Sequence, residues 1–323
     1  MRMWKVCGWC LLLLAAGPAL ASADDARQWL QKMSHAVETL NYEGTFVYLH
    51  AGHMDAMHII HRYGPDGEQE RLVSLTGAAR EVIRNNRTVT CVLPDSKSVV
   101  VNKSLPRTPF PGVLPDNLER LTRNYSFQAL GSDRMTGMAA RVIAIKPKDR
   151  FRYGHRLWLA KDNDLLLKSD LTDQHGVPVE QVMFTHLTVK DHIPESVFKP
   201  KLKGKDFTWY RSTGAKVPSA SEDTVQWQVA DLPSGFRLVH HSRHRLPSGE
   251  NLVDHMVYSD GLATVSVYIE KPDADDRGRL QGVSSMGALN AYGGMVDGYR
   301  VTVVGEVPEA TVKMIGQSVR RAH

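Results

Sequence analysis

The side chains best suited to chemistry are histidines and methionines crowded between residues 50 and 61. Imidazole and thioether groups suit soft or borderline metals such as copper, so a metal-binding protein is one hypothesis for this chain. If residues 57–63 form a strand, His58 and His61 face opposite sides of the sheet, which argues against a tight site. We therefore favour an exposed polar hairpin and predict no metal site. The cluster consists of His50, His53, Met54, Met57, His58 and His61.

A second histidine cluster lies near residue 240. His240, His241 and His244 alternate with Arg243 and Arg245 in a segment that reads as a strand. We predict a solvated strand edge here, and contact with an anionic partner is the alternative.

Catalytic motifs are missing from the sequence. It contains no Gly-x-Ser-x-Gly, no His-Glu-x-x-His and no glycine-rich phosphate loop. The run from Gly282 to Gly287 has the wrong spacing for a nucleophile elbow and predicts a flexible loop instead. We therefore predict no catalytic residues, no cofactor and no enzymatic activity.

The N-terminus has the features of an export signal. Arg2 and Lys5 precede an apolar run that contains Leu11 to Ala16, and Ala21-Ser-Ala23 supplies small residues for cleavage. Residues 1–23 are thus the predicted signal peptide, without the cysteine of a lipid-anchored form at the cleavage point. The apolar run is too short to span a bilayer comfortably, and no later segment approaches that length. A soluble protein outside the cytoplasm is expected.

Cysteine content limits the possible disulfides, and net charge limits the classes of binding partner. Cys7 and Cys10 lie in the predicted signal peptide, so Cys91 remains without an internal disulfide partner and is expected to behave as a small hydrophobe in a strand. The formal net charge is only +5, which suits acidic peptides or lipid headgroups without demanding them. Export disfavours nucleic acid as a ligand.

Hydrophobic periodicity predicts a mainly β protein. Residues 24–40 have helical spacing, whereas the sequence alternates with period two from Tyr42 onwards. Short strands separated by turns continue to residue 189, interrupted by a proline-rich stretch at 106–115 and a short helix at 116–123. Such a meander predicts a curved antiparallel sheet or open barrel with helices in its hollow.

The pattern breaks down after Pro194, and a second unit follows. We predict a domain over 24–198, a linker over 199–223 that is rich in Ser, Gly and Pro, and a smaller α+β domain over 224–323. The second domain is expected to have an antiparallel sheet and a C-terminal helix after Pro308, with Val312, Ile315 and Val319 on one face. Residues 272–290 are interpreted as a polar, glycine-rich excursion.

Six stretches in order along the chain stand out as motifs: Tyr42-Glu-Gly-Thr-Phe-Val-Tyr48, Gly77-Ala-Ala-Arg-Glu-Val-Ile83, Arg152-Tyr-Gly-His-Arg-Leu-Trp-Leu159, Leu232-Pro-Ser-Gly-Phe236, Tyr258-Ser-Asp-Gly-Leu262 and Val303-Val-Gly-Glu-Val-Pro308. In this order and spacing they resemble the RseB/MucB family of periplasmic negative regulators of the envelope-stress sigma factor (sigma-E or AlgU type). The resemblance covers essentially the whole mature chain.

This resemblance implies both a fold and a role. The N-terminal domain would be an unclosed antiparallel barrel like the lipoprotein carriers LolA and LolB, with an apolar cavity. The linker and C-terminal domain would grip the periplasmic region of a transmembrane anti-sigma factor of the RseA/MucA type and shield it from site-1 proteolysis. Lipopolysaccharide or another acyl-chain ligand would release it. A periplasmic lipid or lipoprotein carrier is the alternative, and self-association stays open.

Aromatic and basic residues supply the candidate binding positions. For the lipid cavity, ordinary core packing is the competing interpretation, and for the aromatic residues near the domain junction it is simple domain docking. The cavity candidates are Phe46, Tyr48, Trp158 and Phe184, and the partner-binding candidates are Trp209, Tyr210, Trp227, His240, His241 and Arg243.

Overall fold

A computed structural model describes residues 23–85, 88–103, 114–115, 118–200, 207–211, 227–245, 252–272 and 280–322. The predicted signal peptide up to residue 22, most of the proline-rich stretch and most of the predicted linker lie outside the described residues. Within the described ranges, no helix combines the length and apolar character needed to cross a bilayer.

The N-terminal domain is built on one twelve-stranded sheet. Neighbouring strands are antiparallel except the last, β12, which pairs with β6 in parallel. The spatial order is β12-β6-β5-β4-β3-β2-β1-β11-β10-β9-β8-β7, and its two ends do not pair, so the sheet is open as predicted. The strands are β1 Tyr42–His50, β2 His53–Gly64, β3 Gly67–Ser74, β4 Glu81–Asn85, β5 Thr88–Leu93, β6 Ser98–Lys103, β7 Tyr125–Met135, β8 Met138–Pro147, β9 Gly154–Ala160, β10 Leu166–Thr172, β11 Pro178–Val189 and β12 Thr208–Arg211.

Helix α1, Ala23–Thr39, fills the hollow of this sheet. Its apolar stripe includes Leu30 and Met33, which are buried in one core cluster with inward residues of the sheet. A 3-10 helix at Leu118–Arg123 adds Leu118 and Leu121 to the same cluster. Because a curved sheet exposes an apolar face that one layer cannot cover, these helices complete the core, as predicted. A second, short 3-10 helix covers Glu195–Phe198.

The C-terminal domain has a six-stranded antiparallel sheet in the order β14-β15-β16-β19-β18-β17. Helix α2, Glu309–Gln317, buries Val312 and Ile315 against this sheet. A separate two-stranded sheet joins β13 to β20 beside it. The strands are β13 Trp227–Val229, β14 Arg237–Arg245, β15 Leu252–Ser259, β16 Thr264–Glu270, β17 Gly282–Met286, β18 Leu289–Val296, β19 Tyr299–Gly305 and β20 Val319–Arg321.

Two sequence-based expectations for this domain were wrong. The excursion predicted over 272–290, with the flexible loop predicted from Gly282 to Gly287, contains strand β17 and the start of β18. Every residue of β17 is exposed, so no buried alternation marks it in the sequence. Val319 does not extend the C-terminal helix; it is buried in β20, after the helix has ended.

Candidate ligand cavity and partner-binding surfaces

The histidine- and methionine-rich segment forms the hairpin between β1 and β2. As predicted, His58 and His61 lie on opposite faces, because they pair with Thr45 and Tyr42 respectively. Three of the four histidines approach three different carboxylates: His50 Nε2 lies 2.9 Å from Asp55, His58 Nε2 3.2 Å from Glu43 and His61 Nε2 2.7 Å from Glu68. Among the described residues, no group of three or more His, Cys, Asp or Glu side chains converges as a metal site would require.

His61 departs from the exposed hairpin that the sequence predicted. Its side chain is 0% exposed and stacks on Tyr42 with ring centroids 4.7 Å apart. Its Nδ1 lies 2.8 Å from the carbonyl oxygen of Leu40, and Nε2 faces Glu68. Both ring nitrogens are therefore engaged, so His61 anchors the end of α1 to the sheet rather than binding a ligand.

Two of the cavity candidates lie on the concave face. Phe46 and Phe184 are opposite each other in the β1–β11 register, and their rings meet edge to face with centroids 5.6 Å apart. Both are buried in the core cluster that includes Leu30 of α1. An acyl chain reaching these rings would have to take the place of helix contacts, because α1 packs into the same cluster.

Tyr48 connects the concave face with the C-terminal domain. Its ring packs against the same core, and its hydroxyl donates a 2.7 Å hydrogen bond to Glu180 Oε2 on β11. Burial and the Glu180 carboxylate raise the pKa of Tyr48. Glu180 Oε1 in turn accepts the backbone N–H of Ala288, 3.3 Å away in the β17–β18 turn. The carboxylate of Glu180 thus links strands β1 and β11 to the C-terminal domain.

Trp158 does not lie on the concave face, so that prediction was wrong. Its neighbours Leu157 and Leu159 enter the main core, whereas Trp158 packs with Val142 and Leu167 in a separate cluster on the other side of the sheet. Strand residues alternate between faces, so a shift of one position decides the side. Its indole N–H donates to Asp133 at 2.8 Å.

The two domains join at a buried arginine that sequence reasoning did not single out. The Arg152 side chain is 0% exposed and donates to Asp260 Oδ2 at 2.6 Å and to the Ser234 carbonyl at 2.7 Å, both in the C-terminal domain. A third hydrogen bond reaches Asp149 at 3.0 Å. Tyr125 also donates to Asp260, at 2.9 Å, and burial raises the pKa of this tyrosine.

Further polar contacts extend this junction. Asn290 donates to the Tyr153 hydroxyl at 3.0 Å, and Thr311 donates to the carbonyl of Phe151 at 2.6 Å. Residues 151–153 therefore contact the C-terminal domain continuously. Arg152 and Asp260 both belong to motifs that carry the family resemblance, but their separation of 108 positions gives no signal in one sequence that they pair.

The aromatic partner-binding candidates have different positions. Trp209 and Tyr210 lie on β12, at one end of the large sheet, and are 54% and 57% exposed. Their segment docks on the domain through main-chain pairing with β6, which begins with Thr208 N–H donating to the Lys97 carbonyl at 2.8 Å. Trp227 is instead buried in the C-terminal core, where its ring centroid lies 5.0 Å from that of Tyr299. Its contacts are those of a core residue.

The basic candidates lie on β14, which is the outermost strand of the C-terminal sheet, as the strand-edge prediction required. His241 and Arg243 both approach Asp254 of β15, each at 3.3 Å. His240 points to the other face, where its ring lies 6.2 Å from that of His255. Next to them on β14, Leu238 and Val239 are exposed.

Comparison with known proteins agrees with this architecture. Sequence models of the MucB/RseB N-terminal domain and the MucB/RseB C-terminal domain match residues 25–202 and 221–320, respectively. An open antiparallel sheet around a helix, joined to a smaller sheet domain, is thus the fold of a two-domain regulatory protein. The chain belongs to the MucB/RseB family.

Curated relatives and solved structures extend across both domains. The chain is 29% identical to the sigma-E factor regulatory protein RseB of Haemophilus influenzae and 31% identical to the sigma factor AlgU regulatory protein MucB of Pseudomonas aeruginosa, with 96% of each chain covered in both cases. A crystal structure of MucB in complex with MucA(peri) has a TM-score of 0.70 at 29% identity, covering 93% of this chain and 100% of that one.

Proposed function

We propose that the protein is an exported, periplasmic negative regulator that binds the periplasmic region of a transmembrane anti-sigma factor. Binding shields that region from site-1 proteolysis, and lipopolysaccharide or another lipid signal releases it. The observation that carries the proposal is the likeness, across both domains, to a MucB solved in complex with MucA(peri).

The partner-binding surface in this proposal combines the two outer strands β12 and β14. An outer strand presents main-chain N–H and C=O groups on its open side, and an extended peptide can add to it as a further strand. Trp209 and Tyr210 on β12 supply exposed aromatic area, while Leu238 and Val239 supply apolar area on β14. Proteases bind their substrates as extended peptides. A protease-sensitive segment that is already paired with an outer strand therefore cannot enter the protease active site at the same time.

Release requires that the lipid bind the released arrangement better than the partner-bound one. An acyl chain inserted between α1 and the concave face would displace the packing of Phe46 and Phe184. Tyr48 lies on the same strand as Phe46 and reaches the C-terminal domain through Glu180 and Ala288. Lipid entry would therefore be transmitted along β1 to the contact between the domains.

The polar junction around Arg152 favours this regulator over a simple lipid carrier. A carrier needs only the cavity domain, whereas this chain fixes a second domain to it with a fully buried ion pair to Asp260. Removing one partner of such a pair lowers the stability of the protein strongly. The pair therefore holds the two domains in a defined arrangement, and a lipid can act by shifting that arrangement.

The test is titration of residues 24–323 with the periplasmic region of the host's anti-sigma factor, using wild type and two surface variants. Trp209→Ala/Tyr210→Ala and Val239→Asp should each weaken binding by about tenfold or more, since interface aromatics and buried apolar residues dominate binding energy. Tyr63→Ala is the matched control because Tyr63 is similarly exposed, at 52%, on β2. Equal affinity for all four proteins would reject β12 and β14 as the binding surface, and no binding by wild type would reject the function.

A further inference from the structure

An open cleft of about 840 Å³ lies between the two domains, next to the Arg152 junction. The 3-10 helix Leu118–Arg123 forms the N-terminal-domain side of it. The opposite side is formed by two turns of the C-terminal domain, around Gly235 and Gly261. Both glycines have positive φ, and a Cβ at Gly261 would stand 3.2 Å from Leu121, so these turns pack closely on the helix.

Three arginines line this cleft from both sides. Arg120 and Arg123 come from the 3-10 helix, where a spacing of three residues places side chains on the same face. Arg237 comes from the start of β14 in the C-terminal domain. All three side chains are exposed, and within the described residues none of them forms an ion pair or hydrogen bond.

Each of the two carboxylates that line the cleft pairs with an arginine outside the cleft lining, and that arginine also binds a second carboxylate, Asp24 or Asp149. Glu119 forms an ion pair with Arg27 of α1, with 2.6 Å between the charged atoms. Asp260 is held by Arg152 at 2.6 Å and by the Tyr125 hydroxyl at 2.9 Å, and its side chain is 0% exposed. Among the described residues that line the cleft, the three arginines outnumber the two carboxylates, and neither carboxylate pairs with any of them. In a concave site, low-dielectric walls concentrate the field of such charges.

We propose that this cleft binds a phosphate-bearing ligand that bridges the two domains. Guanidinium groups present paired N–H donors that match the oxygens of a phosphate, and a phosphate carries more charge for three arginines to balance than one carboxylate does. Because Arg237 belongs to one domain and Arg120 and Arg123 to the other, occupancy favours the arrangement that brings all three onto the same group. The site is distinct from the concave apolar face around Phe46.

The inference deepens the proposed lipid-triggered release, and only its consequence for the anti-sigma factor rests on that function. Binding to the cleft is measurable without the partner, so the two proposals can fail separately. The phosphate group of the ligand can come from a lipid headgroup or from a free phosphate, and the choice of probes distinguishes these sources.

The experiment is calorimetric titration of residues 24–323 with inorganic pyrophosphate and with dihexanoyl phosphatidic acid kept below its micellar concentration. Arg120→Gln/Arg123→Gln/Arg237→Gln is compared with Arg80→Gln/Arg134→Gln/Arg320→Gln, which removes the same charge from exposed arginines outside the cleft. We expect the cleft variant to lose about tenfold or more in affinity and the control less than about twofold, because contacts and not net charge hold the ligand. Arg237→Gln alone should also weaken binding, since both domains contribute.

The outcomes separate the alternatives. Tighter binding of phosphatidic acid than of pyrophosphate assigns the cleft to a lipid headgroup, and equal binding assigns it to a free phosphate. Similar losses in both triple variants would overturn the proposal, because they would show unspecific attraction. Binding of hexaglutamate through the same arginines, with no binding of either phosphate probe, would also overturn it and assign the cleft to an acidic peptide.

Discussion

At the scale of single residues, the relation of the domains depends most on Arg152. Its guanidinium is fully buried and bonded to Asp260, Asp149 and a main-chain carbonyl. Rings of Tyr125 and Phe236 lie 5.4 and 5.3 Å from it, so the charge is enclosed by hydrogen bonds and aromatic faces. This is the geometry in which a buried ion pair is tolerated.

Replacing Arg152 with Met should lower the free energy of unfolding by roughly 3–5 kcal/mol, because Asp260 is then left buried without its charged partner. Urea denaturation followed by fluorescence measures the change. Arg150→Met is the matched control, since Arg150 is an exposed arginine two positions away. A loss for Arg152→Met no larger than that of the control would contradict the structural role assigned here.

His155 gives the chain a defined response to acid. Loss of solvation on burial lowers the pKa of His155 from 6.5 to about 4, although the nearby Asp260 carboxylate opposes the shift. Between these pH values the unfolded chain binds a proton at this residue and the folded chain does not. Acid therefore favours the unfolded state, and stability should fall as the pH drops from about 6.5 to about 4.

The expected loss from this one group is up to about 3 kcal/mol, reached near pH 4. Urea denaturation across this pH range gives the unfolding free energies of wild type and His155→Gln. Their difference separates the contribution of His155 from that of the other titrating groups. The difference between the two curves should change in this window and level off below it. Parallel curves would show that His155 keeps its ordinary pKa in the folded protein.

The residue scale also shows where sequence reasoning succeeded and failed. Opposite orientations of His58 and His61 followed correctly from strand periodicity. The burial of His61 could not be predicted, because it depends on Tyr42, Leu40 and Glu68 meeting around one side chain. Trp158 was assigned to the wrong face since neither face of its strand is polar enough to indicate which side is the core.

At the scale of elements, most strands were predictable and the exposed ones were not. Helix α1 was expected over 24–40 and spans Ala23–Thr39, because its apolar residues recur at helical spacing. Strand β17 was missed because it buries no side chain, and β12 was missed because a short parallel strand inside a linker has no periodic signal. Strands whose side chains are largely exposed leave little trace in hydrophobic patterns.

The turn at Gly235 fixes how the C-terminal domain packs on the 3-10 helix. Gly235 has a φ of +84°, and a Cβ there would lie 2.0 Å from Asn124 Nδ2. Gly235→Ala should therefore destabilise the protein more than Gly137→Ala, by about 1 kcal/mol or more. Gly137 is the matched control, because its φ is +78° but nothing lies within 4 Å of the added carbon.

Thermal unfolding of both variants and of Gly235→Ala/Asn124→Ala distinguishes the destabilisation caused by the clash with Asn124 from that caused by backbone strain at positive φ. Asn124→Ala should restore part of the stability in the Gly235→Ala background, since it removes the atom that clashes. Equal losses for Gly235→Ala and Gly137→Ala would mean that only backbone strain matters and that the close packing of the two domains does not.

At the scale of the whole molecule, the open sheet, the helix inside it and the polar junction form one connected system. Phe46 and Tyr48 lie on the same strand, and Tyr48 reaches the C-terminal domain through Glu180. The two-domain organisation and the open barrel were predictable from strand periodicity and family resemblance. Contacts between the domains were not, because they join residues 82 positions apart or more, as Arg152 and Ser234 are, and 108 apart for Arg152 and Asp260.

The most direct test of the central claim is a titration of a fluorescently labelled periplasmic region of the host's anti-sigma factor with residues 24–323, repeated with lipopolysaccharide. The account predicts saturable binding at about micromolar concentration or below, weakened by roughly tenfold or more when lipopolysaccharide is saturating. Absence of binding would contradict the regulator assignment itself. Binding with the same affinity in both conditions would keep the partner but contradict release by this lipid.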